Sequence, residues 1–158
     1  AGMSFAPVES IKLAFHGSTL FAAVQGTGVV NANNETINPL LVYRIGDVLS
    51  GSPSNWEKLY QLNSPNWAEV QIAADASGIL VKYTNLIFSS DGGVNWSLAG
   101  GGDAPENIEW NFELGVLGGS LVGVSLSELY TLDTANLSWT AAGWSHGNEK
   151  KEVTGNRV

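Results

Sequence analysis

The side chains in this chain best suited to chemistry are few and scattered. Glu106, Glu109 and Glu113 are the nearest thing to a carboxylate cluster, and two carboxylates flanking a glycosidic bond are the machinery of sugar hydrolysis. In a loop that runs into a strand, however, three such side chains point in different directions and are expected to face solvent. The two histidines, His16 and His146, fall in a tight turn and in the C-terminal tail. A Ser–His–acid triad therefore has no histidine on a framework strand, and no G-x-S-x-G is present. With no cysteine, a zinc site would rest on those histidines plus carboxylates at no recognisable spacing. Gly100-Gly101-Gly102 is followed by neither a lysine nor a helical pattern, so it reads as a flexible link between units rather than a phosphate loop. No catalytic residue, metal or cofactor is expected.

Composition narrows the rest. The chain has 158 residues (16.7 kDa), a net charge of −8 and a pI near 4.5, which argues against a surface that tracks phosphates by counterion release. Mean hydropathy is +0.04, yet no apolar run approaches the roughly 20 residues of a membrane helix. The chain is too apolar for disorder and long enough for a real core. Neither nucleic acid nor membrane is expected as a partner. Ala1-Gly2 ahead of Met3 reads as a cloning scar, and 143–158 reads as a polar tail or closing strand.

The elements that position these residues repeat. Three tryptophans follow a small polar residue, at Asn55-Trp56, Asn95-Trp96 and Ser138-Trp139, spaced by 40 and 43 residues (56 to 96, 96 to 139). Upstream of each lies a short apolar segment: Leu41-Val42-Tyr43, Leu86-Ile87-Phe88 and Glu128-Leu129-Tyr130. Before that come alternating runs around Leu20–Val24, Ile79–Tyr83 and Leu121–Val124. Ahead of those stand Ile11, Leu13, Phe15, then Val70, Ile72, Ala74, and then Phe112, Leu114, Val116. Period-2 alternation throughout predicts half-buried strands, four short ones per unit, and no helix. The units span approximately 8–60, 66–100 and 108–142 within 3–142.

The turn between the third and fourth strands of the second unit reads Ser89-Ser90-Asp91-Gly92-Gly93-Val94-Asn95-Trp96. This matches S-x-D-x-G-x-x-W, and the chain here resembles the Asp-box (BNR-repeat), sialidase-like β-propeller superfamily. Worn versions run from Thr131 through Asp133 to Trp139 and from Arg44-Ile45-Gly46-Asp47 to Trp56. The resemblance implies that Ser89, Asp91, Gly93 and Trp96 are structural fasteners. Asp91 is expected to accept backbone N–H groups of its own turn, and Gly93 to supply a positive φ. Sialidase activity does not carry over, because three arginines clasp the substrate in that family and only Arg44 and Arg157 are present.

Four strands in forty-odd residues make one propeller blade, and propellers have roughly four to eight. Three blades leave apolar faces open at both ends of the array. The expectation is therefore an all-β chain of three four-stranded antiparallel blades that closes a six-bladed propeller as a homodimer. Loops on one face then offer a ligand site: Asn31, Asn33 and Asn34 in the loop Gln25–Pro39, Asn66 and Trp67 in the next link, and Asp103, Glu106 and Trp110 in the one after. Amides and carboxylates beside an exposed tryptophan suit a neutral glycan. The sequence thus predicts a non-enzymatic binding module for a neutral glycan or surface receptor, extracellular or on a virion surface. Its rivals are an assembly propeller without a small ligand and a glycoside hydrolase-related fragment.

Overall fold

A computed structural model describes residues 8–64, 66–104, 112–125 and 128–145. Among them there is no helix, and the alternating segments form three sheets of consecutive antiparallel strands. The first contains β1 (Val8–His16), β2 (Thr19–Gly26), β4 (Thr36–Ile45) and β5 (Glu57–Ser64) in that order, with β3 (Val29–Val30) paired to the start of β4. The second contains β6 (Gln71–Asp75), β7 (Gly78–Lys82), β8 (Leu86–Ser89) and β9 (Ser97–Leu98). In the third, β11 (Glu113–Leu117), β12 (Ser120–Val124), β13 (Glu128–Asp133) and β14 (Ser138–Ser145) repeat the pattern. An extra β10 (Gly101–Gly102) runs parallel to β14.

Alternation decides where each side chain goes, because successive residues of a strand face opposite sides. In the second sheet, Ile79, Val81, Ile72, Ala74 and Ile87 pack against Phe21, Ala23, Leu40 and Val42 of the first. Its other face sends Leu80, Ala73, Leu86 and Phe88 against Phe112, Leu121, Tyr130, Leu132 and Trp139 of the third. The middle sheet is therefore buried on both faces. The first strands of the three sheets lie together, β1 beside β6 and β6 beside β11. The outer face of the first sheet carries Ala22, Val24 and Tyr43 with Leu41 and Trp56 packed on them. Ile11, Leu13 and Phe15, which pair with Val24, Ala22 and Leu20 on that face, remain 46%, 59% and 49% exposed.

Two expectations need correction. The Gly100–Gly102 stretch is no flexible link: Gly101 and Gly102 pair with Ser138 and Trp139, and Asp103 N donates to Trp139 O at 2.9 Å. Gly102 has φ +69, and a Cβ there would stand 2.5 Å from Trp139 O, so only glycine fits. The stretch 25–39 is also mostly strand. β2 runs to Gly26, and β3 pairs with β4 as far as Val30 and Thr36, leaving a short turn at 31–35. The physical reason is that Asn31 closes this turn on itself, as described next.

Candidate functional site

Strand direction divides the loops between two ends of the molecule. One end, the loop end, carries the β3–β4 turn and the β5–β6 link. The other, the turn end, carries the β1–β2, β6–β7 and β11–β12 hairpins and the three connections that lead to the repeat tryptophans.

At the loop end, the Asn31 side chain is already engaged. Its Oδ1 accepts Asn33 N at 2.9 Å and Glu35 N at 3.0 Å, and its Nδ2 donates to Glu35 Oε2 at 2.9 Å. Asn34 sits at φ 62, a left-handed position that asparagine tolerates. These two residues build the turn, and Asn33 and Asn34 are exposed on it. The β5–β6 link is fixed to its surroundings by the buried Tyr83, whose hydroxyl stands 2.7 Å from Asn38 O and 2.9 Å from Asn66 O and shares its proton between them. Burial raises the Tyr83 pKa above its ordinary value, opposed in part by a hydrogen bond with Ser64. Beyond that pin Trp67 is 45% exposed, and Asn66 is exposed beside it. Asp103 is exposed where its segment leaves β10, away from these two, beside Trp139 at the turn-end start of β14. Glu106 and Trp110, with Glu109 and His146, lie outside the described residues.

The turn end holds the most heavily bonded polar structure among the described residues. Ser89 Oγ donates to Asp91 Oδ1 at 2.8 Å and accepts Gly93 N at 2.8 Å. Asp91 Oδ1 also accepts Val94 N at 3.0 Å and Asn95 N at 2.9 Å, and its Oδ2 accepts Asn95 Nδ2 at 2.6 Å. Those bonds, from the Asn95 backbone and side chain first and Ser89 next, lower the Asp91 pKa to about 2. Gly93 has φ +97 and lies so close to Leu59 that a Cβ would come within 2.6 Å of Leu59 Cδ1. Trp96 Nε1 donates back to Gly93 O at 3.0 Å, and its ring meets Tyr60 at 5.2 Å.

The third unit keeps part of this arrangement. Asp133 accepts Ala135 N at 2.9 Å, Asn136 N at 3.3 Å and Asn136 Nδ2 at 2.8 Å, and its pKa is lowered, by the Asn136 side chain most. The first unit closes its turn without a carboxylate. Ser54 N donates to Gly46 O at 3.1 Å and Ser54 Oγ accepts Gly46 N at 2.9 Å. Ser50 N and Oγ donate to Asp47 O at 3.0 and 2.7 Å.

Between the first and second of these turns opens a cavity of about 530 Å³, lined by Arg44, Asp47, Asn55 and Glu57 among others. Arg44 Nε donates to Glu57 Oε2 at 2.8 Å and its Nη1 donates to Gly92 O at 2.9 Å. The guanidinium thus ties the first sheet to the turn of the second. The corresponding gap between the second and third turns is about 230 Å³, and no charged side chain lines it. Among the described residues, no group of three or more metal-ligating side chains comes together.

Sequence reasoning missed this cavity, because Gly92 lies 48 residues from Arg44 and no local pattern announces their meeting. It also missed Lys82, fully buried at the end of β7, which reads in sequence as an ordinary exposed strand position. No protein-family model matches the chain, and no curated protein matches it.

Proposed function

We propose that the three sheets are three blades of an Asp-box-type β-propeller, that a second copy completes a six-bladed ring, and that the ring is a non-enzymatic binding module. Its ligand is a neutral glycan or a glycan-bearing cell-surface receptor, held at the loop end. The observation that carries this reading is the array itself: three four-stranded meanders stacked face to face with their first strands side by side. Among the described residues, such an array ends in two sheet faces without a neighbouring sheet.

Those two faces are chemically alike. The first sheet offers Ile11, Leu13 and Phe15 with Leu41 and Tyr43. By register, the third carries the exposed Leu117 with the half-buried Val124 and Leu129 on this face, and Val122 buried among them, since Leu121 and Gly123 face the middle sheet. Two copies, each setting its first sheet on the other's third, would cover both faces and leave no open end. Exposed apolar area of this kind marks an interaction surface. Substituting Leu13→Arg is expected to yield monomers, read by sedimentation velocity; an unchanged mass would remove this face from the interface.

For the ligand, Trp67 supplies an exposed aromatic face, and Asn66 supplies an exposed polar group on the link held by the Tyr83 pin. Stacking on the apolar side of a sugar ring plus directional bonds to hydroxyls is what these side chains can do. A glycan array followed by tryptophan-fluorescence titration tests it. Binding that is lost in Trp67→Ala supports the reading, and silence from every sugar contradicts it. The assembly reading, in which the ring engages only protein, is favoured by the same exposed apolar face and predicts that silence.

A further inference from the structure

The first connection, Gly46–Trp56, holds the place that Ser89–Trp96 holds in the second sheet, but its aspartate is used differently. Asp91 is saturated by its own turn. Asp47 takes a left-handed backbone at φ 57, its turn is closed by Ser50 and Ser54, and among the described residues no hydrogen bond engages its carboxylate. Asp47 is instead among the residues that line the cavity of about 530 Å³, a size within the range of small-molecule sites.

The lining fixes what can enter. Arg44 and Glu57 neutralise each other at 2.8 Å, so Asp47 leaves the cavity with a net charge of −1. Phosphates, carboxylates and acidic sugars are disfavoured by that charge, and a simple cation meets the guanidinium. The guanidinium has five N–H donors, of which Glu57 and Gly92 take two. Donors on Arg44 therefore share the cavity lining with the acidic Asp47 and Glu57, and Thr19, Asn55 and the apolar Phe21 line it as well. Adjacent donors and acceptors around an apolar surface match the vicinal hydroxyls and the C–H face of a neutral sugar. We propose that this cavity is a second saccharide site, at the end of the molecule opposite Trp67. Sugar hydroxyls donate to Asp47 and accept from Arg44. The site is held ready because Arg44 is anchored on both sheets. It stands independently of the loop-end reading.

The test is an amide-resolved NMR titration of the full chain with the methyl glycosides of glucose, galactose and mannose, and with N-acetylneuraminic acid as the charged control. At least one neutral glycoside is expected to shift the amides of Gly46, Asp47, Ser54, Asn55 and Gly92, while the acid does not. Asp47→Asn, which tolerates the left-handed backbone, is expected to weaken that binding about tenfold by removing a charge-assisted hydrogen bond. Trp67→Ala is expected to leave it unchanged. Shifts confined to Asn66 and Trp67 would overturn this site and support the loop-end site. Shifts at the cavity that Asp47→Asn and Asp47→Ala leave untouched, or that the acid matches, would also overturn it. No shift from any of the probes would overturn both sites.

Discussion

The connections after β8 and after β4 occupy the same place in the repeat and have parted ways. Ser89–Trp96 is a closed local device in which one carboxylate gathers the hydrogen bonds of its own turn. Gly46–Trp56 is longer, is closed by serines and backbone, and leaves its aspartate among the residues that line a cavity. A turn that needs its carboxylate for folding has none to offer a ligand. A turn that closes by other means frees one. The third connection stands between them, with Asp133 still holding three bonds.

The tryptophans that end these connections differ in burial, and the most deeply buried of them gives the largest expected effect. Trp139 is 1% exposed, donates Nε1 to Ala99 O at 2.6 Å and meets the Phe112 ring at 5.3 Å. Trp139→Ala is expected to cost about 4 kcal/mol in urea unfolding. The half-buried Trp56, on the outer face of the first sheet, is expected to cost about 2 kcal/mol. Equal losses would break the comparison.

Next in size is the glycine of the intact turn. Gly93→Ala combines a strained φ with overlap on Leu59 and is expected to cost about 3 kcal/mol. Gly51→Ala, at φ +76 in the first connection with open space around it, is expected to cost about 1 kcal/mol.

Below these come the aspartates themselves. Asp91→Asn should lower the urea midpoint more than Asp133→Asn, and Asp47→Asn should leave it nearly unchanged; a reversed order would refute the claim that the carboxylates differ in use. The difference for Asp91 should also depend on pH. Its folded pKa of about 2 lies below the ordinary 3.8, so its ionised form stabilises the fold above about pH 4. That contribution fades as pH falls towards 2 and the folded carboxylate takes up its proton. The gap between the parent chain and Asp91→Asn should close over that window.

Much of this architecture was legible in the sequence because each strand announces itself locally. Ile79-Leu80-Val81 alternates between the two cores as written, and S-x-D-x-G-x-x-W encodes a turn whose bonds stay within eight residues. The remaining features depend on distant partners. Gly101-Gly102 carries no side chain to signal that it will pair with β14, and the Asn-rich stretch 31–35 looks like a long loop until Asn31 is seen to close it. The burial of Lys82 and the meeting of Arg44 with Gly92 are likewise set by stacking one sheet on the next. Of the ligand residues named in advance, Trp67 and Asn66 are exposed at one end of the strands, and Asp103 is exposed beside Trp139 near the start of β14. Asn31 is engaged in its own turn, and Glu106 and Trp110 fall outside the described residues.

The central claim is that the exposed apolar face of the first sheet is covered by a second copy, so that three sheets become six. Light scattering coupled to size-exclusion chromatography measures this directly. The account predicts one species at twice the chain mass of 16.7 kDa, reduced to single mass by Leu13→Arg. A stable species at 16.7 kDa for the parent chain would contradict it.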